Sequence, residues 1–286
     1  MKISLDCFPC FLRQALEASR LSGADENEQK KVLNSIMSTL LNVSQDITPP
    51  KIGWLIHSTI REITGNLDPY KKIKTFHNDQ VMRIEADLVK LIHESYEPFV
   101  DALRLAGTGN LIDMGPERQW TDIRDIFKSF SRKNSAFFDH PSFERSLKNS
   151  GTLLYIGDNA GEIVLDKILI NAFIRETNVE ITYAVRGKPI INDATMEDAQ
   201  FVGMTDIVRV IDTGADFPGV VLESCSEDFL DYYHKADIIL AKGQGNYESL
   251  SDESKNIFFL LQAKCPVIAD KIGCKVGDLV LKNGKS

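Results

Sequence analysis

The chain has 286 residues, 43% of them hydrophobic and 26% charged, with a formal net charge of −8, a composition typical of one large or two ordinary globular domains. The acidic balance disfavours a general nucleic-acid surface, and no apolar run approaches the ~20 residues that span a bilayer. Because no secretion signal is visible and five cysteines argue against a secreted disulfide scaffold, we expect a cytoplasmic protein that binds neither membrane nor nucleic acid.

Residues 1–150 show helical periodicity and almost no strand signal. Helices are predicted from Phe8 to a stop at Gly23, over 28–43, from Pro49 to a stop at Gly65, from Asp68 onward, over 77–106 with a break or kink at Pro98, and over 123–130. The first half of the chain is therefore predicted to be an all-helical region.

After Gly151 the pattern changes to alternating strands and helices. Strands are predicted over 153–156, 179–185, 207–211, 237–241 and 266–269, and helices over 162–176, 193–201, 224–235 and 257–263. This alternation predicts an α/β fold with a three-layer, mainly parallel Rossmann-like sheet. We place a domain boundary near residue 150, between a helical region (1–150) and an α/β domain (151–286). No Pro/Gly-rich linker separates the two regions. The alternative is therefore that the helices wrap the sheet instead of forming a detached domain.

Polar side chains follow the predicted strands at the edge where open α/β sheets bind their ligands. Asp158 and Asn159 follow the first strand, and Asn192 and Asp193 follow the second. Hard divalent cations such as Mg²⁺ or Mn²⁺ prefer carboxylate, amide and water oxygens. Asp158, Asn159 and Asp193 are therefore predicted to hold a metal ion. The structural alternative is that Asp193 caps a helix and Asp158 and Asn159 form a turn.

Lys242 follows the fourth predicted strand and precedes Gly243-Gln244-Gly245. A lysine suits a phosphate as a point charge, and glycines let backbone N–H groups approach anionic oxygens. The segment matches neither a Walker A sequence nor the GxGxxG dinucleotide pattern, so it carries no fingerprint for ATP or NAD.

Cys7 and Cys10 form a CxxC at the start of the first predicted helix. A zinc site needs two further ligands, and the sequence offers no second CxxC or histidine pair. We expect a packed or occasionally oxidised pair.

These motifs, in this order, resemble the metal-dependent damage-control phosphatase family, long catalogued as domain of unknown function 89. The resemblance covers nearly the whole chain. It rests on Cys7-Phe8-Pro9-Cys10, Gly109-Asn110 with Asp113, the DNAGE stretch at 158–162, Asn192-Asp193, and Lys242 with Gly245-Asn246-Tyr247-Glu248. The CxxC together with this GNYE tetrapeptide is similar to the stand-alone, archaeal-type subfamily.

The resemblance implies a phosphatase that hydrolyses phosphate monoesters of small metabolites, such as sugar phosphates or damaged and oxidised nucleotides, with Mn²⁺, Ni²⁺, Co²⁺ or Mg²⁺. It implies that the metal is held by Asp158, Asn159 and Asp193. Lys242 and Asn192 would steady the phosphate. The remaining motif residues are expected to contact substrate: Asn110, Asp113, Gly245, Asn246 and Glu248. For Glu248 the alternatives are a role in supporting the site residues and a structural carboxylate at a helix N-terminus. Direct attack by water is favoured because no Ser or Cys nucleophile is evident, with an aspartyl-phosphate at Asp158 as the alternative.

Two other functions share the same crevice. An S-adenosylmethionine-dependent carboxyl methyltransferase would show a glycine-rich first loop and an acidic residue after the second strand, where this chain has Asp158-Asn159 and Arg186. A non-catalytic nucleotide- or sugar-phosphate-binding protein would need no metal. The sequence gives no indication of the oligomeric state.

Overall fold

The computed structural model describes residues 1–44, 46–108 and 137–285. In these ranges the helices are α1 (Cys7–Leu21), α2 (Glu26–Asn42), α3 (Pro49–Thr64), α4 (Lys71–His93), α5 (Pro98–Gly107), α6 (His140–Lys148), α7 (Glu162–Glu176), α8 (Met196–Phe201), α9 (Glu227–Lys235), α10 (Gly243–Leu250) and α11 (Pro266–Ile272). The strands are β1 (Phe137–Phe138), β2 (Thr152–Ile156), β3 (Glu180–Val185), β4 (Arg209–Asp212), β5 (Ile238–Lys242), β6 (Ile257–Gln262) and β7 (Leu279–Asn283).

The N-terminal helices begin and end at the local signals that the sequence carries. The Asp25 side chain caps α2 in a capping box with Glu28, which satisfies two backbone donors of the first turn. Helix α3 begins with two prolines and ends at Gly65, whose φ is +69°. Pro98 begins α5, so the predicted break at this residue is confirmed. The helix predicted over 123–130 lies outside the described residues.

The seven strands form one sheet in the order β1-β7-β6-β5-β2-β3-β4. Strands β2 to β6 run parallel to one another, β7 is antiparallel to β6, and β1 pairs with β7 in parallel. The predicted α/β fold with a mainly parallel sheet is therefore confirmed.

Helices cover both faces of the sheet, and the strand side chains alternate between the two cores. Leu153, Tyr155 and Tyr183 belong to the cluster that includes residues of α4, α5, α6 and α7. Leu154 and Ile156 point to the opposite cluster, shared with α9, α10 and α11. Both faces of the parallel strands are thus buried, as such sheets require. Helices α1, α2 and α3 share a third, separate cluster.

Two predicted elements near the C-terminus are wrong, because residues 257–262 form strand β6 and residues 266–272 form helix α11. The run Ile-Phe-Phe-Leu-Leu is buried throughout, and a continuous apolar run fits a parallel strand covered on both faces as well as it fits a buried helix. Pro266 opens α11 at its first turn, where a missing N–H does no harm.

Strands β1 and β7 were not predicted. The two residues of β1 pair with Val280 and Leu281 of β7, so residues 1–150 are not wholly helical. A two-residue strand defined by its partner leaves no periodicity in the sequence.

No helix in the described ranges is long and apolar enough to cross a membrane.

Strand order reverses between β2 and β5. From β2 the chain continues to β3 and β4 on one side, whereas β5 and β6 lie on the other side. Open α/β sheets bind ligands in the crevice outside the carboxyl ends of the strands at such a reversal. Asp158 follows β2 directly and Lys242 ends β5, so both lie at this crevice.

Candidate active site

The segments that follow β2 and β3 are joined by backbone hydrogen bonds at the crevice. Ala160 N–H donates to the Asn192 carbonyl (2.8 Å), and Ala194 N–H donates to the Asp158 carbonyl (2.8 Å). Asn159 and Asp193 form an antiparallel bridge. These contacts bring together the three predicted metal ligands. Asp193 follows Asp158 and Asn159 by more than thirty residues in the sequence.

Asp193 does not cap the following helix. The N-cap of α8 is Thr195, which forms a capping box with Asp198. Asp193 instead accepts a hydrogen bond on Oδ2 from the Nε of Arg186, at 2.7 Å. The capping alternative for Asp193 is therefore excluded.

The carboxylate of Asp158 lies directly against the turn between β5 and α10. Gly243 has a φ of +79°, and a Cβ at this position would lie 1.9 Å from Asp158 Oδ2. Only glycine provides both this backbone conformation and this approach. The close approach of the segments that follow β2 and β5 therefore depends on the absence of a side chain at Gly243.

Arg186 is a buried cation at the centre of this arrangement, with 1% of its area exposed. Its Nη2 donates to Asn246 Oδ1 (3.2 Å) and lies 3.7 Å from Asp158 Oδ1. Its Nη1 has no hydrogen-bond partner among the described residues. Arg186 was not among the predicted site residues. An arginine directly after a buried strand is rarely buried unless it is paired, and this was the signal for its place among these carboxylates.

Burial raises the pKa of Asp158 well above its ordinary value, and the charges of Asp193 and Glu162 raise it further against the opposing charges of Arg186 and Lys264. Burial also raises the pKa of Asp193, although the charge and hydrogen bond of Arg186 oppose this shift. The two carboxylates therefore lie in a place that lacks sufficient positive charge, and a bound cation would stabilise them.

The donor set fits a hard divalent cation in its chemistry. It comprises two carboxylates and one amide oxygen, all of them oxygen ligands of the kind that Mg²⁺ and Mn²⁺ prefer. Within residues 1–44, 46–108 and 137–285, no group of three or more His, Cys, Asp or Glu side chains is placed to hold a metal. Asp158 and Asp193 are only two such groups, and Asn159 completes the set with an amide.

Lys242 is buried below the crevice, with 1% of its side chain exposed. Its Nζ lies 2.6 Å from Asp166 Oδ1 and 3.4 Å from Glu162 Oε2. Burial lowers the pKa of Lys242, but these two carboxylates outweigh burial and raise it above the ordinary value. Residues 243–245 lie in the first turn of α10 and not in a loop. The predicted contact of Lys242 with phosphate stays a prediction.

Lys264 is a cation at the same edge of the sheet and was not among the predicted site residues. It is exposed and lies two residues beyond the end of β6, and its backbone N–H donates to Gln244 Oε1 (3.2 Å). Its charge opposes the pKa rise of both Asp158 and Asp193. Because residues 257–263 were predicted to be a helix, no strand end was expected next to Lys264.

The GNYE segment is largely part of the framework of the site. A Cβ on Gly245 would lie 2.3 Å from the Pro218 carbonyl. The Asn246 amide is fully buried and donates to the carbonyls of Gly157 (3.2 Å) and Lys242 (2.7 Å). Its oxygen accepts from Val220 N–H (3.0 Å) as well as from Arg186. Asn246 thereby joins the segments that follow β2, β3, β4 and β5.

Glu248 lies farther along α10. Its Oε1 accepts from Gln244 Nε2 (2.8 Å), its carbonyl accepts from the Met1 amine (2.7 Å), and burial raises its pKa to about 7. Asn192 is half-buried beside Asp193. The predicted substrate contacts Asn110 and Asp113 lie outside the described residues, and those of Gly245, Asn246 and Glu248 stay predictions.

Cys7 and Cys10 are free thiols, half-buried and exposed respectively. Burial raises the pKa of both, which reduces the thiolate fraction that reacts with oxidants. The expectation of a packed or occasionally oxidised pair stays a prediction.

A profile of the family described as the damage-control phosphatase ARMT1-like domain matches residues 3–280. The chain belongs to this family. The predicted membership is confirmed, and the phosphatase activity expected of a member is confirmed at the level of the family.

Relatives match over almost their whole length. A damage-control phosphatase of Pyrococcus horikoshii is 32% identical, over 100% of this chain and 99% of its own. A damage-control phosphatase of Archaeoglobus fulgidus is also 32% identical, over 99% of both chains. An uncharacterized protein of Methanocaldococcus jannaschii is 35% identical, over 98% of this chain and 95% of its own. These names support a phosphatase and specify no substrate.

A solved structure has the same fold as this chain. The crystal structure of a DUF89 family protein from Pyrococcus horikoshii superposes with a TM-score of 0.91, at 31% identity and with 99% of each chain covered. The whole chain, including its N-terminal helices, therefore corresponds to one phosphatase of this family.

Proposed function

We propose that this damage-control phosphatase hydrolyses phosphate monoesters of small metabolites, such as sugar phosphates or damaged nucleotides, and that it depends on a divalent cation held by Asp158, Asn159 and Asp193. The observation that carries the proposal is the assembly of one buried carboxylate, one largely buried carboxylate and one amide at the reversal of strand order. Burial raises the pKa of both carboxylates, and the charges of Asp193 and Glu162 raise that of Asp158 further, so a bound cation would stabilise them.

Mn²⁺, Ni²⁺, Co²⁺ or Mg²⁺ bound at this set would neutralise phosphoryl oxygens and acidify a water molecule. Arg186 holds Asp193 by Oδ2, and this carboxylate would hold the ion in that orientation. Lys264 is exposed at the edge of the crevice and suits the substrate phosphate as a point charge. Asn192 is adjacent in sequence to Asp193 and is assigned to the same phosphate.

We favour in-line attack by water, with an aspartyl-phosphate on Asp158 as the alternative. Asp158 Oδ2 is packed against Gly243, which restricts its movement toward a phosphorus atom. Incubation with a ³²P-labelled phosphate ester, followed by acid quench, would distinguish the two. Label retained by the native protein and absent from Asp158→Asn would overturn direct attack.

The test of the function is an assay of metal-stripped protein against a generic phosphate ester, with each of the four ions added back separately. We expect an ion to restore turnover, and Asp158→Ala and Asp193→Ala each to abolish it. Asp87→Ala, which removes an exposed carboxylate of α4, is the matched control and should leave turnover unchanged. Folded native protein that is inactive with every ion would contradict the proposal and favour a non-catalytic binding protein.

A further inference from the structure

The side-chain amide of Asn159 has a defined orientation in the site. Its Nδ2 donates to Glu162 Oε1 (2.9 Å) and to Asp158 Oδ2 (3.2 Å). Both partners are carboxylate oxygens, which accept hydrogen bonds, so the amide must present its NH₂ group to them. The carbonyl oxygen is then the arm of the amide directed away from both. Only this oxygen can bind a cation.

Glu162 is the group that determines this orientation. It is the first residue of α7 and is 7% exposed, and a carboxylate is favoured at the N-terminus of a helix. Its Oε1 accepts from Asn159 and its Oε2 lies 3.4 Å from Lys242 Nζ. Both oxygens thus have protein partners, and Glu162 connects Asn159 to Lys242.

A second layer holds Glu162 and Lys242 in place. Asp166 is completely buried and accepts from Lys242 Nζ (2.6 Å), from the Tyr155 hydroxyl (2.7 Å) and from the Tyr183 hydroxyl (2.8 Å). Buried polar networks that are this fully connected are rigid. The contact with Asp166 therefore fixes the Lys242 ammonium beside Glu162.

We propose that Glu162 is a positioning residue, anchored by Lys242, that fixes the Asn159 amide with its oxygen toward the divalent cation. This inference rests on the proposed metal site and adds the device that makes an asparagine a reliable ligand there. Rotation of the amide by 180° would turn its oxygen toward two carboxylates and its NH₂ toward the cation. Groups that orient metal ligands in this way commonly change metal affinity 10- to 100-fold when altered.

The variant Glu162→Gln tests the proposal, because it keeps the size of the side chain and changes its hydrogen bonding. The Lys242 ammonium is a donor only and repels an NH₂ group, so the introduced glutamine turns its oxygen to Lys242 and its NH₂ to Asn159. The Asn159 oxygen then accepts from that NH₂ and is lost to the metal. We expect Mn²⁺ affinity, measured by calorimetry on metal-stripped protein, to fall at least about tenfold.

The same substitution in an Asn159→Asp background separates orientation from general electrostatics. A carboxylate at position 159 has two equivalent oxygens and needs no orientation, and it is repelled by Glu162. In this background Glu162→Gln should leave Mn²⁺ affinity unchanged or increase it. Glu180→Gln, an exposed glutamate at the start of β3, is the matched control and should have no effect in either background.

The outcomes distinguish this inference from the proposed function. If the native protein binds no Mn²⁺, the proposed metal site itself fails. If Asp158→Ala abolishes Mn²⁺ binding but Glu162→Gln does not weaken it, or weakens it equally in both backgrounds, the metal site stands and the positioning role is overturned. Should Glu162→Gln not fold by circular dichroism, Glu162→Asp, whose shorter carboxylate cannot reach Asn159, provides the same contrast between backgrounds and the same grounds for rejection.

Discussion

At the scale of single residues, the site depends on the side chain that Gly243 lacks as well as on the side chains that are present. Gly243 allows the backbone of α10 to approach the Asp158 carboxylate, at a φ of +79°. Gly23 has nearly the same φ, +85°, but no atom lies within 4 Å of the Cβ it would carry. The two glycines share a conformational requirement and differ only in what surrounds them.

We therefore expect Gly243→Ala to abolish metal-dependent turnover, because the new methyl group must displace Asp158. Gly23→Ala should retain turnover. Its free energy of unfolding should fall by only about 1–2 kcal/mol, because alanine is strained in this backbone conformation. Urea unfolding and the phosphate ester assay measure the two effects separately. Full activity of Gly243→Ala would show that the Asp158 carboxylate is free to move.

Glu248 is a second residue whose surroundings determine its chemistry, since burial raises its pKa from 4.5 to about 7. Below pH 4.5 both the folded and the unfolded chain hold this proton. Between pH 4.5 and 7 the folded state holds it and the unfolded state has released it, so the free energy of unfolding falls as pH rises. Above pH 7 the loss is complete.

The variant Glu248→Gln should consequently be more stable than the native protein at pH 8, by up to about 3 kcal/mol, and equal to it at pH 4. Denaturant unfolding at both pH values checks this, with the exposed Glu180→Gln as the matched control. A stability gain that is the same at both pH values would mean that ionisation of Glu248 is not its cause.

At the scale of elements, helix α3 is joined to two loops at the crevice edge of the sheet. Asp216, which follows β4, accepts from Trp54 Nε1 (2.8 Å) and from Arg61 Nη2 (2.6 Å). Arg61 Nη1 also donates to the carbonyl of Pro189, which follows β3 (3.1 Å). An exposed ion pair between Lys51 and Glu223 connects the same helix to the same region.

These two pairs should differ in what they contribute to stability. Asp216→Ala removes two hydrogen bonds from a largely buried carboxylate and leaves Arg61 without its carboxylate partner, so we expect the free energy of unfolding to fall by about 2 kcal/mol. Glu223→Ala removes a solvent-exposed pair and should lose less than about 0.5 kcal/mol. Equal losses in thermal unfolding would mean that Asp216 is not a joint between α3 and the sheet.

At the scale of the whole molecule, the apolar core is divided into separate clusters, and the domain boundary predicted near residue 150 stays a prediction. Helices α4 and α5 belong to the core of the sheet, whereas α1, α2 and α3 share a cluster of their own. Ile36 is buried in the latter cluster and Ile163 in the former. We propose that α1 to α3 open as a separate unit, because their apolar contacts are mainly with one another.

Ile36→Val should then accelerate amide hydrogen exchange in residues 7–64 and leave the strands of the sheet unchanged. Ile163→Val, a matched loss of one buried methylene worth about 1 kcal/mol, should accelerate exchange in β2 and β3. Mass spectrometry of peptides from each region would measure both. Uniform acceleration across the chain in Ile36→Val would indicate a single cooperative unit.

The sequence by itself determined the α/β class, most of the helix bounds and the residues at the ends of β2 and β3. These features are encoded locally, in apolar periodicity, in glycine and proline stops, and in polar residues directly after buried strands. Asp158, Asn159 and Asp193 could be named for this reason. Their proximity followed from the rule that parallel strands end at one edge of a sheet.

Only the tertiary structure decided which partners the charged residues have. The buried run of β6 fits a strand or a helix until its neighbours β5 and β7 are known, and Lys264 was missed for the same reason. Lys242 is held by Asp166 and Glu162, more than seventy residues earlier in the chain, and Arg186 by groups from three segments. Hydrogen bonds and ion pairs form through space, so local periodicity predicts where a side chain is buried but not which groups surround it.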